Sequence, residues 1–330
     1  MKRKKIIMID NRMLHDTELL VRMLRYMRPT GSLTEKAFCE TYIEPFMGAP
    51  DEHGNYVLTI GDKPRVSFMA HYDTVHREHG FQSVIVDTCG VATSDSNCLG
   101  ADDTTGVWIL LGMIKHGVEG TYVIHAAEEV GCVGSEALVK SNPPWLEHTD
   151  AAISFDRYGT DSIITHQSNG RTCSDEFAHS LAEVLQLPMR ADSWGTYTDS
   201  NEYSAVIPEC TNVSVGYDHQ HTSREYQDLY FAESLLERVC MAQWHRLLIF
   251  RDPTHIEPYN PYSMGYSTYR GSYDYAYDDD FQEVEAMQRL IEDRTTQVAS
   301  IMVQLGLSVD TLCDELDVDY QDVQYYKYAQ

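Results

Sequence analysis

Three clusters of acidic or imidazole side chains occupy the same kind of place in this 330-residue chain. His71-Tyr72-Asp73 follows the apolar run RVSFMA, Glu128-Glu129 follows TYVIHAA, and Asp156 follows AAISF. Each run is rich in β-branched or aromatic residues and reads as a buried strand, so each cluster lies where a strand should end. Ligands of open parallel sheets bind at the carboxyl ends of the strands. Three separate segments would then deliver carboxylates and a histidine to one edge. Such a cluster repels itself and is costly to bury unless cations compensate it. Metal is the simplest remedy. Two more clusters join the set. Gly100-Ala101-Asp102-Asp103-Thr104-Thr105-Gly106 lies just before a helix, and His221-Thr222-Ser223-Arg224-Glu225 lies in a loop after TNVSVGY. Histidine nitrogens with carboxylate oxygens suit zinc or a similar divalent ion. Two histidines and three carboxylates exceed the needs of one tetrahedral zinc with an open position. They suit two metals about 3.5–4 Å apart that share a carboxylate.

The elements that would position these residues alternate along the chain. Strands are expected at YVLTI, RVSFMA, SVIV, TYVIHAA and AAISF. Helices are expected over 15–27, from Thr34 onward, and over 104–116, 133–140, 175–186 and 229–250. Alternation of this kind implies an α/β fold, with a mainly parallel mixed sheet flanked by helices on both faces. One large domain would span 1–252. Residues 253–280 hold seven tyrosines among prolines and glycines and read as a linker or surface-bound segment. Tyr259, Tyr262, Tyr266, Tyr269 and Tyr273 have helical spacing, but the interspersed prolines and glycines oppose a helix. Residues 281–330 read as a small acidic helical tail.

Composition removes several functions. Lys and Arg number 25 against 51 Asp and Glu, a net charge of -26, which argues against nucleic acid and anionic membrane surfaces. The tail alone is strongly acidic, which makes DNA binding by it improbable. No apolar run approaches the roughly 20 residues of a membrane helix. The start MKRKKIIMID has too short an apolar stretch for a secretory signal, so a cytoplasmic location is expected. The eight cysteines are spread without a C-x-x-C and read as reduced thiols.

H-x-D-T-V, G-A-D-D-x-x-G, E-E-V-G, a strand-terminal Asp and H-T-x-x-E follow one another here as they do in the co-catalytic di-zinc exopeptidases. That superfamily includes bacterial zinc aminopeptidases, peptidase T and glutamate carboxypeptidase. The likeness runs from about residue 15 to 250, and LLVRMLRYMRPTGSLTE resembles the superfamily's first helix and its S-P-S-G-x-E turn. The resemblance implies that His71, Asp102, Glu129, Asp156 and His221 ligate two zinc ions, with manganese or cobalt as alternatives. Asp102 would bridge the two, and the peptide after it is a candidate cis bond. Glu129 and His221 would complete one metal, and Asp156 the other. Asp73 would hold the far nitrogen of His71. Glu128 would be the general base for a hydroxide shared by the two ions. Only the stretch 157–220 separates Asp156 from His221, too little for the extra domain of the lidded branches. The lid-less aminopeptidase branch is therefore the nearest.

TYTDSNEY at 196–203 resembles another motif of the superfamily, with Thr196-Tyr197 replacing its Gly-Gly. Asp199, Tyr197 and Tyr217 are the substrate-binding candidates, Asp199 either facing substrate or supporting the site from behind it, and either tyrosine or another local group could stabilise an oxyanion. Competing assignments stay open: His219 for His221, Asp103 for Asp102, and a solvated acidic pair at Glu128-Glu129. The expected function is an aminopeptidase acting on small peptides. The alternatives are an amidohydrolase of N-acyl amino acids or small amides, and a catalytically silent binding protein. The tail is expected to engage a protein partner or a second subunit.

Overall fold

The computed structural model describes residues 17–167 and 170–254. The expected tail, and the linker from residue 255 on, lie outside them. A seven-stranded sheet is built from β1 (Tyr56–Ile60), β2 (Val66–His71), β3 (Gly120–His125), β4 (Ala151–Arg157), β5 (Ser162–Ile164), β6 (Arg190–Asp192) and β7 (Glu209–Ser214). Its order is β6-β5-β7-β4-β2-β3-β1. The central strands β3, β2, β4 and β7 are parallel, while β1 joins β3 antiparallel and β5 joins β7 antiparallel. Every residue of β2, β3 and β7 is buried, as a strand covered on both faces requires.

Alternation along the strands separates two cores. Phe68, Ala70, Tyr122, Ile124, Ile153 and Phe155 join the larger core, whereas Met69, Val123, Ala152 and Cys210 join the smaller one. Helix α1 (Thr17–Met23) and α2 (Leu33–Phe38) open the chain. Helix α3 (Ala101–Lys115) is buried from Ala101 through Met113 and packs on β2 and β4. A Cβ on Gly106 would collide with the carbonyl oxygen of Phe155, so only glycine lets α3 approach β4 this closely. Helices α4 (Val133–Ser141), α5 (Asp175–Leu185) and α6 (Leu229–Met241) complete the covering layers.

A second, antiparallel sheet joins Tyr217–Asp218, Tyr226–Asp228, Val91–Ser94 and Val84–Val86. The first two form a hairpin whose loop, 219–225, carries His221 and Glu225.

Two helices are shorter than their sequence patterns suggest. In place of a helix to residue 27, Tyr26–Met27 pairs with Gly80–Phe81, and the Tyr26 ring packs edge-on against Phe38, Tyr42 and Phe81. The helix expected over 229–250 stops at Met241. Farther on, the amides of Phe250 and Arg251 donate to the buried carboxylate of Glu209 in β7, at 2.8 and 2.9 Å. A helix would have consumed those donors internally. Among the described residues, no helix is long and apolar enough to cross a membrane.

Candidate metal centre

The carboxyl ends of β2, β3 and β4 meet at one edge, with His71 registered against His125 and Met69 against Ser154. His71 closes β2 and is buried. Its Nδ1 lies 3.4 Å from Asp73 Oδ1, the approach expected of a residue that orients the ring. Asp73 does more than that. It accepts hydrogen bonds from Thr30 Oγ1 (2.8 Å) and from the amides of Glu128 (3.0 Å) and Glu129 (3.3 Å). One carboxylate therefore sets the β2 turn against the β3 turn. That second turn is tight: Ala127 has φ +57°, and the amides of Gly131 and Cys132 both donate to the Glu128 carbonyl.

Helix α3 begins irregularly. The Asp102–Asp103 peptide is cis, and both residues depart from helical backbone angles. The buried Glu225 carboxylate grips this start. Its Oε2 accepts the amides of Leu99 (2.7 Å) and Gly100 (2.8 Å), and its Oε1 those of Ala101 (2.8 Å) and Asp102 (3.1 Å). These are donors a helix start leaves free. Burial, then the charge of Asp102, pushes the carboxyl up to about 7, against the pull of these amides. With N–H groups on every contact an added proton would find no acceptor, which favours the anion. Asp103 turns inward, accepting from the amides of His71 (3.1 Å) and Gly106 (2.9 Å).

Asp102 thereby presents its two oxygens in different directions. Oδ1 lies 3.1 Å from His71 Nε2, which is itself 3.6 Å from Asp156 Oδ1. Oδ2 lies 3.2 Å from His221 Nε2, which is 3.2 Å from Glu129 Oε2. Two donor sets share one carboxylate. Glu128 stands beside them, its Oε2 3.8 Å from His71 Nε2 and its Oε1 3.6 Å from the Cys132 thiol. Burial, then Asp156 and Glu129, drives the Glu128 carboxyl well above its usual range against the pull of His71. Burial and Asp102 raise Asp156 to about 6. Glu129 Oε1 is buried without a hydrogen-bond partner. Crowded carboxylates, two imidazoles and an unsatisfied buried oxygen form a donor set suited to divalent cations.

The structure brings His71, Asp73, Asp102, Glu128, Glu129, Asp156 and His221 together at this edge. The substrate-binding candidates lie beside this cluster or behind it. Asp199 is 1 % exposed, and its carboxylate meets Ser135 Oγ at 2.5 Å and His125 Nδ1 at 3.1 Å. Tyr217 is equally buried and donates its hydroxyl to Asp156 Oδ1 at 3.0 Å. Both side chains are engaged within the protein. Tyr197 is 39 % exposed and next to Thr198, whose hydroxyl donates to Asp156 Oδ2 at 2.6 Å. Sequence reasoning misses Thr30, Thr198 and the grip of Glu225. All three sit inside recognised motifs, but only the fold shows what they hold.

Fold and site are similar to those of metal-dependent peptide-bond hydrolases. Residues 55–203 match the family model described as Peptidase family M28. No curated protein sequence matches the chain. In fold, it is similar to the aminopeptidase PepT of Bacillus cereus, at 15 % identity and a TM-score of 0.57, over 71 % of this chain and 98 % of the other. A tripeptidase of Staphylococcus aureus gives the same identity, TM-score and coverage. A TET aminopeptidase of a marine-sediment Thaumarchaeota archaeon covers 69 % of this chain and 96 % of its own, at 15 % identity and TM-score 0.54.

Proposed function

We propose that the chain is a di-zinc aminopeptidase. The observation that carries this reading is the division of Asp102: Oδ1 toward His71 and Asp156, Oδ2 toward His221 and Glu129. Those five side chains would hold the metals, with manganese or cobalt able to use the same donors. When bound, such a pair acidifies a water molecule and polarises the substrate carbonyl. The protein's own part falls to Glu128. Its carboxylate takes a proton from the attacking water and returns it to the departing amine as the C–N bond breaks. Asp73 holds the imidazole of His71 and both amides of the Glu128-Glu129 turn, so base and ligands move as one piece. The preference for a free amine is taken from the aminopeptidases with the same fold.

The test is metal analysis of the purified protein together with hydrolysis of a panel of N-terminally free and N-acylated peptides. About two metals per chain, with cleavage of free-amine peptides alone, is the expected result. Cleavage of only acylated substrates would move the chain to the deacylases. Glu128→Gln should retain the metals and lose about 10²–10⁴-fold in kcat. Wild-type turnover in that variant would remove Glu128 as the base.

A further inference from the structure

Arg28 is fully buried, in a stretch that the chemistry above does not use. Its Nε donates to the Tyr72 carbonyl (2.9 Å), its Nη2 to Thr104 Oγ1 (2.8 Å) and its Nη1 to the Tyr26 carbonyl (3.4 Å). The guanidinium lies 3.9 Å from the centre of the Phe38 ring. Its backbone is stitched to the same turn, because Thr74 N donates to the Arg28 carbonyl (2.9 Å) and Arg28 N to Thr74 Oγ1 (3.2 Å). Two residues on, Thr30 donates to Asp73. Tyr72 stands between His71 and Asp73, and Thr104 stands two residues after Asp102. One side chain therefore spans the two segments that present the first imidazole and the shared carboxylate.

The charge needs an explanation of its own. The donors of Arg28 go to carbonyls and a hydroxyl, and no ion pair holds it among the described residues. Burying a cation in this way costs several kcal/mol, and an apolar side chain on Phe38 would pack there more cheaply. Burial pushes the guanidinium down to about 10, while Cys39, Asp73, Glu35 and Asp103 pull it upward, so it remains charged at neutral pH. The carboxylates that offset that charge are Asp73 and Asp103, each next in the chain to a residue Arg28 bonds, and Glu35.

We infer that Arg28 is a positioning residue of the metal centre, fixing the His71–Asp73 turn against the start of α3, and that its permanent charge offsets the neighbouring carboxylates of Asp73 and Asp103 when no metal is bound. This rests on the metal reading proposed above. The carboxylates need positive charge most when the divalent ions are gone, and then Arg28 supplies it. When the ions are present, Arg28 serves mainly through its forked hydrogen bonds.

The experiment compares the full chain with Arg28→Met, Arg28→Lys and Thr104→Val. Thermal midpoints are measured in saturating zinc and in EDTA, and zinc affinity by competition with a chelating dye. Arg28→Met should lose more stability in EDTA than in zinc, widening the gap between the two conditions relative to wild type. Arg28→Lys should keep the wild-type gap, because it keeps the charge, yet bind zinc more weakly, because it loses the fork. Thr104→Val removes the Nη2 acceptor, together with the bond that the Thr104 hydroxyl donates to the Gly100 carbonyl, and should weaken zinc binding about 10- to 100-fold, the usual effect of losing an outer-shell partner. Its loss of activity should appear in kcat and not in KM. A wild-type gap in Arg28→Met overturns the counter-charge role. Wild-type zinc affinity in Thr104→Val overturns the positioning role. If Arg28→Met does not fold, the lysine variant and Thr104→Val still decide. A wild-type protein whose midpoint ignores zinc would instead remove the metal reading, and this inference with it.

Discussion

Replacing Glu225 with glutamine would test whether one carboxylate holds the shared ligand in place. Its two oxygens each accept two amides, those of Leu99, Gly100, Ala101 and Asp102. The glutamine side chain would keep one oxygen for two of them and turn an NH₂ toward the other two. Each buried amide left unpaired costs about 1–3 kcal/mol. Loss of a negative charge at the start of α3 adds up to about 1 kcal/mol, and reduced repulsion of Asp102 returns part of it. The balance is about 4 kcal/mol, which for a domain of this size is a fall of about 10 °C in Tm. Because one of the orphaned amides belongs to the segment ending at Asp102, kcat/KM should fall about 10- to 100-fold at saturating zinc. Scanning calorimetry of both proteins, with and without zinc, reads the first effect, and steady-state kinetics the second. A variant that melts within about 1 °C of wild type would refute the reasoning, since two bare amides cannot be hidden in a buried turn for so little.

Three further outcomes are expected. His76 is buried and its imidazole is pushed down to about 4, by burial first and by the Arg28 charge second. The unfolded chain then binds the extra proton first, so this residue's contribution is complete above about pH 6.5 and drains away as the pH falls toward 4, by roughly 3 kcal/mol. His76→Gln should be less sensitive than wild type over that window in urea unfolding, and parallel curves would count against it. The Cys132 thiol, kept protonated by burial, donates to Glu128, so Cys132→Ala should lower kcat about two- to fivefold and Cys132→Ser should restore it. Equal activity in all three proteins would show that the contact carries nothing. Gly106→Ala would drive a methyl into the Phe155 carbonyl and the Asp103 carboxylate and should cost about 3 kcal/mol or more. Soluble expression with a wild-type urea midpoint would contradict that.

Much of the centre is legible because it stands at the ends of strands whose runs are unmistakable. RVSFMA, TYVIHAA and AAISF are continuous apolar segments, and the residues after each must emerge at the same edge of a parallel sheet. The cis peptide after Asp102 comes only through the superfamily likeness, since no local signal in GADDTTG demands it. Partners fixed by long-range pairing stay hidden. Arg28 in RYMRPTG looks like any solvated arginine, and nothing nearby reveals Thr104 as its acceptor. The motif likeness leaves open whether Asp199 faces substrate or supports the site, and whether Tyr217 stabilises an oxyanion. Their protein partners, Ser135 with His125 and Asp156, come from segments far away in the chain. The overlong reading of α6 has the same origin: its extension looks helical by composition, and the Glu209 carboxylate that captures Phe250 and Arg251 belongs to another strand.

The grip of Glu225 also bears on the order in which the chain is made. It joins residues 123 to 126 positions apart. A chain leaving the ribosome exposes Asp102 long before the loop that secures it. On the proposed reading, until residue 225 has emerged and closed back onto α3, Asp102 lacks the contact that directs it and His221 has not joined the site. On the proposed reading, a chain cut short before the hairpin would lack one side of the metal centre and should show no turnover.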